Sequence, residues 1–143
     1  MTVIFGPTQW QYLICNPPPP GPGEAYGGGY LICKDGYKAW VVAPSSTEVS
    51  RSWYCRNDAV TTANANAACG DWFVPTCGQL QTPGYTCRTY WDSYSSGHLF
   101  YWSSTESTSS TAWLVCFDND NGNTYCYPKT LSYCVRAFRC VTY

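Results

Sequence analysis

Ten cysteines, nine carboxylates and one histidine are the side chains of this sequence best able to do chemistry. The cysteines run from Cys15 to Cys140 without a Cys-x-x-Cys pair, which argues against a zinc ribbon, whose ligands come in close pairs. Two readings stay open: a disulfide framework, favoured by the even count, or buried reduced thiols serving as small hydrophobes. His98 sits in a glycine-serine stretch with no acid at a telling distance, so nothing supports a histidine-based triad. No two carboxylates are marked out by local context for general acid–base work, and the expectation is a protein that is not an enzyme.

Hard oxygen ligands cluster once, at Asp118, Asn119, Asp120 and Asn121 ahead of Gly122 and Asn123. The run misses the EF-hand frame, because glycine falls at position five and Lys129 at position twelve. It lies between Val115-Cys116-Phe117 and Thr124-Tyr125-Cys126, and Asn121-Gly122 is a hairpin-turn signal, so a hairpin tip is the structural reading and calcium the alternative; no other cofactor is expected. A tip centred on Asn121-Gly122 brings Cys116 and Cys126 within one residue of register, close enough for a bulge to allow a disulfide. Cys134 and Cys140, six apart on one strand and thus about 20 Å distant, share a face and do not bond each other.

Charged residues make up 12% and aromatics 17%, with a net charge of -1. That leaves no basic field to attract phosphate, and no apolar run is long enough to span a bilayer, so neither nucleic acid nor membrane insertion is expected. The first residues, Met1-Thr2-Val3-Ile4-Phe5-Gly6-Pro7, lack the basic, apolar and small-residue parts of a secretory signal. An oxidising cysteine content without such a signal suggests a protein assembled inside a cell and working outside it, as a virus particle does, or one exported without a cleaved signal.

The elements that must carry these residues begin with an arm, 1–15, where Trp10, Tyr12 and Ile14 share a strand face and Phe5 adds an apolar anchor. Residues 16–26 form a Pro/Gly spacer, extended by about 3.1 Å per residue where it runs as polyproline II. The head, 27–143, opens with a hairpin of 30–33 and 38–43 about Asp35-Gly36. A helix is expected over 58–69, with Asn57 or Asp58 as cap, Ala59, Ala63 and Ala67 as a close-packing seam and Gly70 past its end. A helical turn follows at 77–81, then an aromatic loop at 86–98, then strands at 99–103, 112–117, 124–127 and 133–141. The class is α+β, with about two helices and six mainly antiparallel strands behind an extended arm.

The ordered motifs Gly28-Gly29-Tyr30-Leu31-Ile32, Ala39-Trp40-Val41-Val42-Ala43-Pro44, Cys69-Gly70-Asp71-Trp72-Phe73-Val74-Pro75-Thr76, Tyr101-Trp102-Ser103-Ser104-Thr105-Glu106 and Val135-Arg136-Ala137-Phe138-Arg139 resemble the C-terminal domain of bacterial collagen-like adhesins. That family has a C-type-lectin-like fold related to the formylglycine-generating enzymes, and the resemblance covers 27–143. It implies that Cys69 ties to the last strand, at Cys140 or Cys134. The Glu-Pro-Asn calcium motif of lectins is absent, and no segment matches the active-site pattern of the formylglycine-generating enzymes. Trp102 and Trp113 read as core, and Arg136 and Arg139, facing opposite sides, call for ionic partners such as Asp71 and Glu106.

The function expected is a virion structural protein, a phage capsid decoration or tail protein, whose partners are other structural proteins of a particle or filament and further copies of itself. The alternative is a bacterial surface adhesin or extracellular filament subunit that binds glycans. If the head binds a ligand, the expected surface joins Tyr90, Trp91, Tyr94 and His98 with Thr105, Ser107 and their neighbours to 111, and with Asp118, Asn119, Asp120 and Asn121. Against this stands the reading in which Trp91 and Tyr94 fill a small core of their own loop.

Overall fold

The Asp35-Gly36 pair does close the first hairpin: Asp35 stands opposite Lys38, so β2 (Gly29–Asp35) and β3 (Lys38–Val42) meet across a two-residue loop. The structure, a computed structural model, describes residues 15–66, 69–94, 100–118 and 121–143. The arm residues Phe5, Trp10, Tyr12 and Ile14, with His98, Asn119 and Asp120, lie outside the described residues. The other elements are β1 (Ala25–Tyr26), β4 (Val49–Ser52), α1 (Asp58–Asn66), α2 (Cys77–Gln79), β5 (Phe100–Glu106), β6 (Thr111–Cys116), β7 (Thr124–Pro128), β8 (Ser132–Val135) and β9 (Phe138–Thr142). Strands β1-β2-β3-β9 form one sheet and β4-β8-β5-β6-β7 another. The pairings are antiparallel except that of β5 with β8. The class is therefore α+β, with two helical segments and nine strands among the described residues.

One of the added strands comes from the division of a single stretch. The apolar run 133–141 reads as a single strand, yet β8 joins the five-stranded sheet and β9 the four-stranded one, with only Arg136 and Ala137 between them. Arg136 is 2% exposed, and the chain breaks where its guanidinium has to reach partners away from both ladders.

Side-chain alternation then sorts the core. One face of the first sheet sends Leu31, Val41 and Val141 toward Ala63 and Trp72, while the other sends Val42 and Phe138 toward Leu80, Tyr101, Val115 and Phe117 on the second sheet's side. A third cluster joins Trp102, Leu114 and Val135 to Trp53 and Ala59. Ala59 and Ala63 of α1, both fully buried, thus meet different clusters, as a small-residue seam allows. Ala67 lies outside the described residues. At α2, Thr76 accepts from the Gln79 amide while Gln79 reaches back to the Thr76 amide, a reciprocal cap that starts the turn expected there.

A bulge interrupts β2. Leu31 pairs with Val41 and Cys33 with Trp40, leaving Ile32 as the extra residue. Both Ile32 and Cys33 consequently turn to the face that looks at the second sheet.

Both disulfide expectations are corrected. Cys69 is bonded to Cys15, not to Cys134 or Cys140, which are free thiols. Cys116 and Cys126 are also free. Cys126 stands opposite Trp113 and Thr124 opposite Val115, so Cys116 is three residues from register and, by the odd offset, on the other face of the sheet. The cause is the loop. Cys116 and Asn123 close it, with Gly122 donating to the Cys116 carbonyl at 3.0 Å, so Asn121-Gly122 ends a longer connection and does not centre a tight turn. Gly122 has φ 61, and a Cβ there would stand 2.6 Å from the Tyr85 ring, so only glycine fits.

Candidate functional site

The residues that root the N-terminal segment form the most elaborated polar site. Arg139, in β9 and 3% exposed, donates from Nη1 to the carbonyls of Cys15 at 2.7 Å and Gly27 at 3.1 Å, from Nη2 to Asn16 Oδ1 at 2.9 Å, and from Nε to the Gly70 carbonyl at 2.9 Å. Burial lowers its pKa, opposed by the charge of Asp71 and by Tyr26. The Cys15–Cys69 disulfide crosses the same place, and the Tyr26 hydroxyl donates to the Pro17 carbonyl at 2.7 Å. Gly27 permits this: at φ 57, a Cβ would lie 2.7 Å from Arg139 Nη1. The expected spacer is thus held to the head at both ends. Its boundary at residue 26 also falls inside a ladder, since Tyr26 pairs with Gly29, and Gly23 donates to the Leu31 carbonyl at 2.7 Å.

The second buried cation also has partners other than those expected. Arg136 bonds Glu48 at 3.1 Å, Asp92 at 3.2 Å and the carbonyls of Ala43 and Ser93. Burial works to raise the Asp92 pKa, but hydrogen bonds from Ser45 and the charge of Arg136 outweigh it and hold the carboxyl below its ordinary value. The Tyr101 hydroxyl donates to Glu48 Oε1 as well. Glu106 pairs with the buried Lys129 instead of an arginine, and Lys129 also lies 4.5 Å from the centre of the Trp53 ring. In the Arg136 pairs both side chains are largely buried, whereas Glu106 is 55% exposed and meets a buried Lys129.

The expected ligand surface comes apart. Trp91 is 5% exposed and packs against Tyr101, Phe117 and Phe138, so it belongs to the central core between the sheets and not to a small core of its own loop. Tyr94 rests edge-on against Trp91 and Phe117. Tyr90 is 44% exposed. Thr105 accepts from the Cys77 amide at 2.9 Å, and Ser107 meets the Cys126 thiol at 3.3 Å. The Asp118 main-chain carbonyl accepts from the Asn121 amide at 2.9 Å and the Asn121 side-chain oxygen from the Asn123 amide at 3.0 Å, which uses the Asn121 side chain in its own turn. Because β6 joins the two loops as one strand, 107–110 and the described residues 117, 118 and 121–123 sit at its opposite ends, about 20 Å apart, so the described parts of the two loops do not share one ligand face. Successive hairpins must place their loops at alternate ends, so the strand order in the sequence already contained this separation.

Two surface features went unremarked in the sequence. Tyr125 and Tyr127 on the edge strand β7 are near-parallel, with ring centres 6.2 Å apart and 20° between planes, and Tyr125 is 36% exposed. A cavity of about 290 Å³ is lined by Cys33, Lys34, Asp35, Trp40, Thr82 and Pro83. An i, i+2 pair of aromatics in a strand is the signal for the first; the second depends on where the chain at Thr82 returns. Among the buried thiols, burial and the neighbouring Glu48 push Cys134 up to about 12, which leaves it inert.

Among the described residues, no group of three or more His, Cys, Asp or Glu side chains is placed to hold a metal ion, and no helix is long and apolar enough to cross a membrane. Neither the protein-family models nor the curated proteins compared with this chain match it.

Proposed function

We propose that this chain is a non-enzymatic virion structural protein, a phage capsid decoration or tail protein, anchored through its first fifteen residues and displaying an α+β head of the lectin-like kind. The observation that carries the reading is the root of the arm, where Cys15 is bonded to Cys69 and gripped by Arg139. An arm that docks on a larger assembly has to pass load to the head it displays. A covalent bond backed by a buried guanidinium does this more directly than a semi-rigid proline spacer alone. Its partners are other structural proteins of the particle and further copies of the chain.

The experiment is immunogold labelling with an antibody raised against the purified head. Gold on the capsid or tail of particles shed by the source culture is the expected result, and particles without gold overturn it.

A glycan-binding surface adhesin is the second reading, favoured by the half-exposed Tyr125–Tyr127 pair, whose rings can take the faces of successive sugars. It expects gold on cell-surface filaments instead, together with glycan binding by the isolated protein.

A further inference from the structure

The bulge at Ile32 has a consequence for the free thiols. Strict alternation along β2 would carry Cys33 to the Leu31 face, toward α1; the extra residue turns it to the opposite face, beside Trp40 and the segment that follows Leu80–Tyr85. On that face it meets Cys87. The two thiols are near enough to influence each other electrostatically, both are free, and both are half-buried at the rim of the same apolar cluster, where β2 packs against the turn that follows Cys87. Cys87 is itself held in place, since its amide donates to the Pro83 carbonyl at 2.9 Å and its thiol lies 3.9 Å from the Thr86 hydroxyl. Two free thiols brought to one face on separately ordered segments are placed to bond where their Cα atoms come within about 7 Å.

We propose that Cys33 and Cys87 are a site of covalent modification, forming a second intramolecular cross-link by exchange with a low-molecular-weight disulfide such as glutathione disulfide. The Cys87 sulfur attacks the disulfide, forms a mixed disulfide and releases one thiol. Cys33 then attacks the Cys87 sulfur, the mixed bond breaks, and the second thiol leaves. Two protein thiols are oxidised and one external disulfide is reduced to two thiols, which carry away both protons. Cys87 is the first nucleophile in this exchange because burial, and next the neighbouring Cys87, hold the Cys33 thiol above its ordinary value and make it the slower attacker. The product fastens the aromatic segment through Tyr90 and Trp91 to the first sheet, as Cys15–Cys69 fastens the N-terminal root. It also sets one wall of the cavity at Cys33, where Trp40, Thr82 and Pro83 converge.

Of the other free cysteines, Cys77 and Cys126 also lie near enough to influence each other, with Cys126 exposed on the edge strand β7. Cys134 and Cys116 are buried, and Cys140 is separated from Cys33 by Trp40, which pairs with both across the sheet.

The test oxidises the folded full-length chain with glutathione disulfide, quenches with acid, alkylates remaining thiols and maps the peptides without reductant. The expected result is a peptide pair joined through Cys33 and Cys87, and a thermal midpoint roughly 10 °C above the reduced chain. In a Cys33→Ser chain, glutathione should remain trapped on Cys87. Alkylation of both Cys33 and Cys87 in the oxidised wild type, or Cys87 joined to a different cysteine, overturns the proposal. The wild-type map decides the question even if the variant does not fold.

Discussion

Arg139 and Cys15 are 124 residues apart in sequence and 2.7 Å apart in space, where the guanidinium donates to the carbonyl. The same group satisfies Asn16, Gly27 and Gly70, so four acceptors lose their donor if it is removed. Arg139→Lys keeps the charge but cannot span four acceptors from one planar fork. Its expected cost is about 3 kcal/mol in urea unfolding, and a loss below about 1 kcal/mol would show the clamp to be dispensable.

The same relationship separates two truncations. Removing residues 1–14 leaves Cys15, its disulfide and the Arg139 contacts, and should leave the thermal midpoint within a few degrees of the full chain. Removing 1–23 deletes the disulfide, whose cysteines are 54 residues apart, and should lower stability by about 4 kcal/mol. Equal midpoints for both would mean that the root adds no stability.

Neighbouring aromatics of the long loop should respond in opposite ways. Trp91→Ala opens the central cluster and is expected to cost about 3–5 kcal/mol. Tyr90→Ala, at a half-exposed position, should change stability by no more than about 0.5 kcal/mol. Chemical denaturation of the two variants reads this directly, and comparable losses would place Trp91 outside the core.

Acid should find the Arg136 cluster. Burial raises the Asp92 pKa while Ser45 and Arg136 lower it further, so its folded-state value lies below its unfolded one. Its contribution is therefore fully present above the ordinary carboxylate value of about 4 and is lost as pH falls through the depressed folded value. The stability gap between wild type and Asp92→Asn should be constant from about pH 7 to 5 and close below about pH 4. A gap that widens on acidification would reverse the sign of the shift.

The aromatic pair on β7 gives the test of the adhesin reading. Tyr125→Ala with Tyr127→Ala should leave the circular dichroism unchanged and abolish any glycan retention that the wild type shows on a mixed glycan array. Retention undiminished in the double variant would move the binding face elsewhere.

The order of elements was open to reading from local chemistry. Asn57, Asp58 and the alanines Ala59 and Ala63 start and line α1, the Asp35-Gly36 pair closes its hairpin, and Thr76 with Gln79 starts α2, because caps, turns and side-chain periodicity act within a few residues. Which cysteine meets which was not open in that way. Cys116 and Cys126 miss each other because the loop ending at Gly122 is longer than a tight turn, and Cys69 finds Cys15 because Arg139 draws the N-terminal segment back onto the last strand. Nor could the run 133–141 show that it divides between two sheets, since strand propensity is the same on either side of Arg136. By itself, the sequence determined the composition, the class and the starts of the first hairpin and of the two helices. Register, sheet order and the meeting of distant side chains belong to the tertiary structure, because each depends on packing between segments whose local signals carry no information about one another.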